Sequence, residues 1–301
     1  MKLNDKKLLI PLLLLFNIFF AVLILFVYSQ TAKLNPSKWQ SAGDKYSIPT
    51  LPRELSDKIT VASRAYIIYD SLSRTILLGK NEKLRFAPAS TVKIMTAIIA
   101  LEYFDKNQVL YAQGLDAVEG SKMKLVDGEQ ITVANLLYGL MLPSGNDAAY
   151  VFAQNFPGGT FAFVKKMNEK AVKLGLSNTK FVDPAGYDDN NYTTAFDLAR
   201  LGAYAIENPD LRKVVSTRSI TVSDISGQNI HDLYNLNELL GIPGITGIKT
   251  GFTDEAGGVL VTSFLQDSRT YIIVVLNSVD RFGDTKSVID EAFEKIKILP
   301  Y

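Results

Sequence analysis

Pro88-Ala89-Ser90-Thr91-Val92-Lys93-Ile94-Met95-Thr96-Ala97 is the stretch on which the reading of this chain turns. Pro88 and Ser90 open an apolar helix that runs to Leu101. Residues three apart at a helix start share one face, with Cβ atoms about 5–6 Å apart. That spacing puts the Lys93 amine within reach of the Ser90 hydroxyl. A serine hydroxyl is a poor nucleophile until a base takes its proton. Lysine can be that base only where burial or neighbouring cations lower its pKa. The helix N-terminus favours the negative charge of an oxyanion near Ser90. Taken alone the motif is weak, because a serine near a helix start is ordinarily a cap.

Two further motifs follow downstream. Leu142-Pro143-Ser144-Gly145-Asn146-Asp147 reads as a turn entering a helix. Plain loop chemistry explains it; functionally, Ser144 offers a second hydroxyl for proton relay and Asn146 an amide for a substrate carbonyl. Lys249-Thr250-Gly251 falls on a strand candidate. Its lysine fits a solvent-facing position. It also fits a cation and a hydroxyl placed beside a ligand, with Gly251 allowing close backbone approach.

Strand patterns stand at both ends of the region carrying these motifs. Residues 65–70 and 75–80 read as a hairpin, and 219–223, 247–251, 258–265 and 269–277 as further strands. The segment 112–208 reads as mostly helical, most clearly at 133–141, 159–174 and 194–207. A last helix is expected over 285–298. The pattern predicts an α+β domain: an antiparallel sheet flanked by helices, with a helical subdomain inserted.

Composition narrows the chemistry. The 301 residues are 47% hydrophobic and 21% charged, with 32 Lys+Arg against 31 Asp+Glu. Such a chain is too apolar to be disordered. A net charge of +1 argues against a nucleic-acid binder. With no Cys, thiolate metal sites and cysteine nucleophiles are excluded. One histidine, His231, makes histidine-based metal sites and Ser-His-Asp catalysis poor candidates; it reads as structural or surface. No metal site is expected. Asp188-Asp189-Asn190-Asn191 reads as a solvated loop, lacking the Gly and distal Glu of an EF-hand.

The amino terminus reads as a membrane anchor. Lys2, Lys6 and Lys7 precede an uncharged run over 8–28. At ~1.5 Å per residue it spans about 30 Å, a bilayer core. It exceeds the apolar region of a cleavable signal, and no A-x-A site follows clearly. The reading is an uncleaved signal anchor, with a cleaved signal peptide as the alternative. The lysines favour a cytoplasmic 1–7 and everything after the span outside it. Residues 29–62, with Pro36, Pro49 and Pro52, read as a linker, and 63–301 as the catalytic domain.

Together the three motifs resemble the S-x-x-K, S-D-N and K-T-G signature of penicillin-binding proteins and class A β-lactamases, with Gly145 making the middle motif S-G-N. The chain resembles a low-molecular-mass penicillin-binding protein of the serine D-alanyl-D-alanine carboxypeptidase family. Asp127-Gly128-Glu129, Asp183-Pro184-Ala185-Gly186 and Thr246-Gly247-Ile248-Lys249-Thr250-Gly251-Phe252 extend the resemblance over about 62–299. It implies a β-lactamase/transpeptidase-like fold and no cofactor. Ser90 would be the acylated nucleophile, Lys93 its base and Ser144 the proton relay. Asn146 would bind an amide carbonyl. Lys249 would keep the site electropositive, and Thr250, with Arg281 held more loosely, would take the terminal carboxylate. Gly251 lines the site, and the N–H groups of Ser90 and Phe252 would form the oxyanion hole. The implied substrate is a peptidoglycan stem peptide ending in D-Ala-D-Ala, with β-lactams as acylating inhibitors. A D,D-endopeptidase, a β-lactamase or a non-catalytic wall-binding protein of the same fold are the alternatives. No E-x-x-L-N motif supplies the second base a class A β-lactamase needs.

Overall fold

Runs of Ile, Val and Tyr from opposite ends of the chain build one sheet. In the computed structural model, which describes residues 48–52, 55 and 59–299, nearly all of these lie in a unit spanning Pro49–Ile298. In chain order the strands are β1 (Ile48–Thr50), β2 (Ala65–Asp70), β3 (Thr75–Lys80), β4 (Val109–Tyr111), β5 (Gln130–Thr132), β6 (Ser219–Ser223), β7 (Ile230–Tyr234), β8 (Ile245–Thr253), β9 (Gly257–Gln266), β10 (Arg269–Ser278) and β11 (Lys297–Leu299). The helices are α1 (Lys93–Tyr103), α2 (Val133–Met141), α3 (Asn146–Gln154), α4 (Gly159–Lys173), α5 (Ala195–Glu207), α6 (Pro209–Ser216) and α7 (Arg281–Phe293).

The main sheet has the order β3-β2-β10-β9-β8 and is antiparallel throughout. Its central strands are buried on both faces. On β10, Ile272, Val274 and Leu276 join the core under α1 and α5. Tyr271, Ile273 and Val275 join a second core with Val288, Ala292 and Phe293 of α7. Each such aliphatic side chain contributes about 1.5–3 kcal/mol on burial. Two-sided burial explains why these strands read as continuous apolar runs rather than alternating ones. The helical segment lies between β3 and β6 in sequence, as the insertion pattern predicts.

Local signals set the helix starts. Thr132, Thr194 and Asn208 accept hydrogen bonds from the backbone N–H groups of Asn135, Asp197 and Asp210, capping α2, α5 and α6. The nucleophile motif departs from a plain helix start. Ala89–Val92 form a 3₁₀ turn, and the α-helix begins at Lys93.

Several elements differ from expectation. The last helix begins four residues early, because Asp280 caps it by accepting from the Gly283 N–H. It stops at Phe293, and Lys297–Leu299, whose first two residues were expected to end it, pairs with Ile48–Thr50 as strands. Residues 112–128, expected within the helical part, form an irregular loop. Side chains hold it: Asp127 accepts from the N–H groups of Gly114 and Leu115, and Asp147 from those of Met123, Lys124 and Leu125. Within the stretch read as linker, Leu55 and Ile59 are buried in the second core. The short strands β4, β5 and β7 and helix α6 had no counterpart in the sequence reading. The expected anchor over 8–28, with 1–7 before it, lies outside the described residues. Among the described residues no helix is long and apolar enough to cross a membrane.

One buried ion pair joins β2 to β10. Arg269 donates from Nε to Asp70 Oδ1 at 3.2 Å, and both side chains are buried. Replacing the arginine leaves a buried carboxylate without its cation, a loss of about 3–5 kcal/mol in comparable pairs. Arg269→Met is expected to lower the unfolding free energy by that amount, read from urea denaturation.

Candidate active site

Ser90 sits in the 3₁₀ turn and Lys93 on the first turn of α1. Their spacing brings Lys93 Nζ to 3.0 Å from Ser90 Oγ. The same amine donates to Asn146 Oδ1 at 2.6 Å and to the Ala185 carbonyl at 2.7 Å. Lys93 is fully buried. Burial lowers its pKa from 10.5 to about 7, against the opposing fields of Asp183 and Asp147. The neutral, basic form of the amine is therefore accessible near neutral pH.

Neither carboxylate touches the amine; each is occupied by backbone. Asp147 Oδ1 and Oδ2 accept from Met123, Lys124 and Leu125 at 2.9–3.1 Å. Asp183 accepts from the N–H groups of Ala185 and Gly186 at 2.6 Å and Asp188 at 2.8 Å, and from Asn191 Nδ2. These bonds shape the loops on either side of Lys93. The 183–186 loop then presses on the nucleophile turn. Gly186 has φ +77°, and a Cβ there would collide with the Ala89 carbonyl.

Ser144 is buried, with φ +64°, and its Oγ has no hydrogen-bond partner. Its neighbour Asn146 is anchored on three sides. It receives the Lys93 amine on Oδ1, donates Nδ2 to the Glu119 carbonyl at 2.6 Å, and donates its backbone N–H to Ser121 at 2.7 Å. An amide nitrogen carries two hydrogens, so one remains available.

β8 supplies the third wall. Lys249 is buried and donates to the Thr250 carbonyl at 2.9 Å. Burial, then the charges of Lys93 and Arg281, hold its pKa well below the usual lysine range. The Arg281 guanidinium stacks over Phe282 and donates from Nε to Thr250 Oγ1 at 2.6 Å. A Cβ on Gly251 would lie 2.8 Å from the Ser90 nitrogen, so only glycine lets β8 approach the nucleophile turn this closely. Phe252 is exposed and lines a cleft of about 410 Å³ together with Ser90, Gly120, Ser121, Asn146 and Tyr187.

All nine expected residues thus come to one region: Ser90, Lys93 and Asn146 by hydrogen bonds, Lys249 by its field, Thr250 and Arg281 by a shared bond, Gly251 and Phe252 along β8, and Ser144 beside Asn146. His231 is buried elsewhere, with Nε2 2.7 Å from Glu129 Oε1 and Nδ1 3.1 Å from the Met123 carbonyl. It clamps the 123–129 loop to β7, a structural role. The loop backbone at Glu119, Ser121 and Ala185 was not foreseen. Asp183-Pro184-Ala185-Gly186 enters the sequence reading only as part of the resemblance, and its glycine is the available signal.

A buried amine of lowered pKa beside a hydroxyl, a second buried lysine and a hydroxyl–guanidinium pair fit acyl transfer from a carboxylate-bearing substrate. The sequence profile of the D-alanyl-D-alanine carboxypeptidase family matches residues 52–280. D-alanyl-D-alanine carboxypeptidase DacF of Bacillus subtilis is 31% identical over 249 residues, 79% of this chain and 64% of its own length. The D-alanyl-D-alanine carboxypeptidase of Streptomyces sp. strain K15 is 33% identical over 264 residues, 80% of this chain and 91% of its own. The match thus spans just under two thirds of DacF and nearly all of the Streptomyces enzyme. The crystal structure of the Streptomyces K15 DD-transpeptidase superposes with a TM-score of 0.74 at 32% identity, covering 78% of this chain and 98% of that one. The chain belongs to the D-alanyl-D-alanine carboxypeptidase family of serine peptidases, with the penicillin-binding fold.

Proposed function

We propose that this domain removes the terminal D-Ala from peptidoglycan stem peptides through an acyl-enzyme on Ser90. The observation carrying this reading is the buried Lys93 amine at 3.0 Å from Ser90 Oγ, with its pKa brought to about 7. Neutral Lys93 takes the Ser90 proton as the oxygen attacks the penultimate D-Ala carbonyl. The oxyanion is held by the N–H groups of Ser90 and Phe252. Ser144 passes a proton to the departing amine, and D-Ala leaves. Water then hydrolyses the ester, with the same lysine as base. Asn146 offers its remaining amide hydrogen to a substrate carbonyl. Thr250 and Arg281 take the terminal carboxylate, with Lys249 buried behind them. A β-lactam carries a carboxylate and a strained amide, so it acylates the same serine. Neither Ser90 nor Lys93 has a carboxylate hydrogen-bond partner among the described residues, which favours a long-lived β-lactam adduct over β-lactamase turnover. An endopeptidase reaction differs only in the leaving amine. In this reading residues 8–28 anchor the chain, with the domain outside the cytoplasm, supported by the uncharged run and its preceding lysines. Protease shaving of intact cells, with loss of the domain and survival of a membrane-bound stub, checks that topology.

Incubation with a D-Ala-D-Ala pentapeptide is expected to release D-Ala, and intact mass after penicillin treatment to show one adduct, absent in Ser90→Ala. Rapid penicillin turnover without D-Ala release would overturn the reading. Protonation of Lys93 removes the base, so the acylation rate should fall about tenfold per pH unit below about 7 and flatten above it, measured by fluorescent penicillin. Gly251→Ala forces the Ser90 nitrogen and β8 apart; acylation should slow about 10²–10³-fold, as when an oxyanion donor is lost.

A further inference from the structure

We propose that Tyr69, Arg74 and Arg200 form a binding site for a phosphate group, apart from the Ser90 cleft. The three residues line a cavity of about 110 Å³. None of its lining residues belongs to the cleft that holds Ser90. Ligand pockets for drug-sized molecules run to ~300–1,000 Å³. This cavity therefore suits one small group rather than a peptide.

Tyr69 is the residue that points to a ligand. Only 4% of it is exposed, yet its hydroxyl makes no hydrogen bond among the described residues. Buried tyrosine hydroxyls ordinarily find a partner. The ring is fixed in the core, meeting Phe196 edge to face with centroids 6.2 Å apart. The hydroxyl is thus held at the cavity wall with its hydrogen unspent. Burial raises its pKa against the fields of Arg200 and Arg74, so near neutral pH it is an O–H donor.

The two arginines complete the donor set. The Arg200 guanidinium donates to the carbonyls of Leu174 and Gly175 at 2.6 Å and lies 5.5 Å from the Phe196 ring centroid. It is held in place before any ligand arrives, and a guanidinium has five N–H groups, so donors remain. Arg74 comes from the turn between β2 and β3 and has no hydrogen bond or ion pair among the described residues. Its φ of +57° is one that glycine or asparagine adopts at less cost. Asp70, next to Tyr69 in sequence, is spent on Arg269 and the Ser73 N–H. Glu207, exposed at the rim, is the one carboxylate lining the cavity among the described residues. Two guanidinia against one carboxylate leave the cavity cationic. A carboxylate ligand presents two oxygens along one edge. A phosphate group presents three in different directions, which matches donors arriving from β2, from its turn and from α5. A free phosphate ion and the end of a larger phosphomonoester share this chemistry.

The test is calorimetric titration of the full chain with inorganic phosphate and, separately, with glycerol 3-phosphate, each against chloride at matched ionic strength and pH. Saturable phosphate binding is expected. Tyr69→Phe and Arg74→Gly should each weaken it about tenfold, the loss of one hydrogen bond to a charged group. Neither residue belongs to the catalytic machinery, so both variants should keep the penicillin acylation rate of the unaltered protein. Glu207→Gln should tighten binding by removing the opposing charge. Binding of both probes assigns the site to a phosphomonoester, binding of phosphate alone to the free ion, and either supports it. Absence of saturable phosphate binding would overturn the site. Equal binding by the unaltered protein and both variants would also overturn it, by placing the anion elsewhere.

Discussion

One amine ties three distant segments of this chain together. Lys93 donates to the nucleophile turn at Ser90, to α3 at Asn146 and to the 183–186 loop at Ala185. A buried amine must find partners for its hydrogens or impose a large desolvation cost. Each of its three acceptors is therefore fixed in place by the need to satisfy it. The acceptors are fixed again from behind. Asp147 and Asp183 bind the backbone of the flanking loops, and their fields reach Lys93 without contact. The charge of Lys93 in turn helps to hold the pKa of Lys249, buried on β8, below the usual lysine range.

This arrangement works against the fold. Lys93 releases its proton at about pH 7 in the folded chain and near the ordinary lysine value when unfolded. Between those limits the unfolded state binds more protons, so this group's contribution to stability rises with pH across that window. Near neutral pH the fold carries the cost of a lysine held short of its preferred charge. The apolar packing on both faces of the sheet offsets it. The same shortfall of charge is what makes the amine a base.

The sheet was legible because strands buried on both faces leave apolar runs such as Tyr66-Ile67-Ile68 and Ile272-Ile273-Val274. The catalytic constellation was legible because its chemistry uses short motifs at fixed spacing. The 112–128 loop was not, since its conformation comes from side chains elsewhere, above all Asp147, and has no periodicity of its own. The start of α7 was missed because the Asp280 cap outranks the helical pattern that begins later. His231 could be set aside as a catalyst from its isolation, but its bonds to Glu129 and Met123 join positions more than a hundred residues apart and leave no local trace.

The order β3-β2-β10-β9-β8 also sets a schedule. β2 emerges early during synthesis, yet Asp70 meets Arg269, 199 positions later. At roughly 5–20 residues per second, the ribosome takes about 10–40 s to deliver that partner. Through that interval the hairpin β2–β3 presents an unpaired apolar edge, the kind of surface that recruits unintended strands. A nascent chain of this topology depends on being shielded until its last strands arrive.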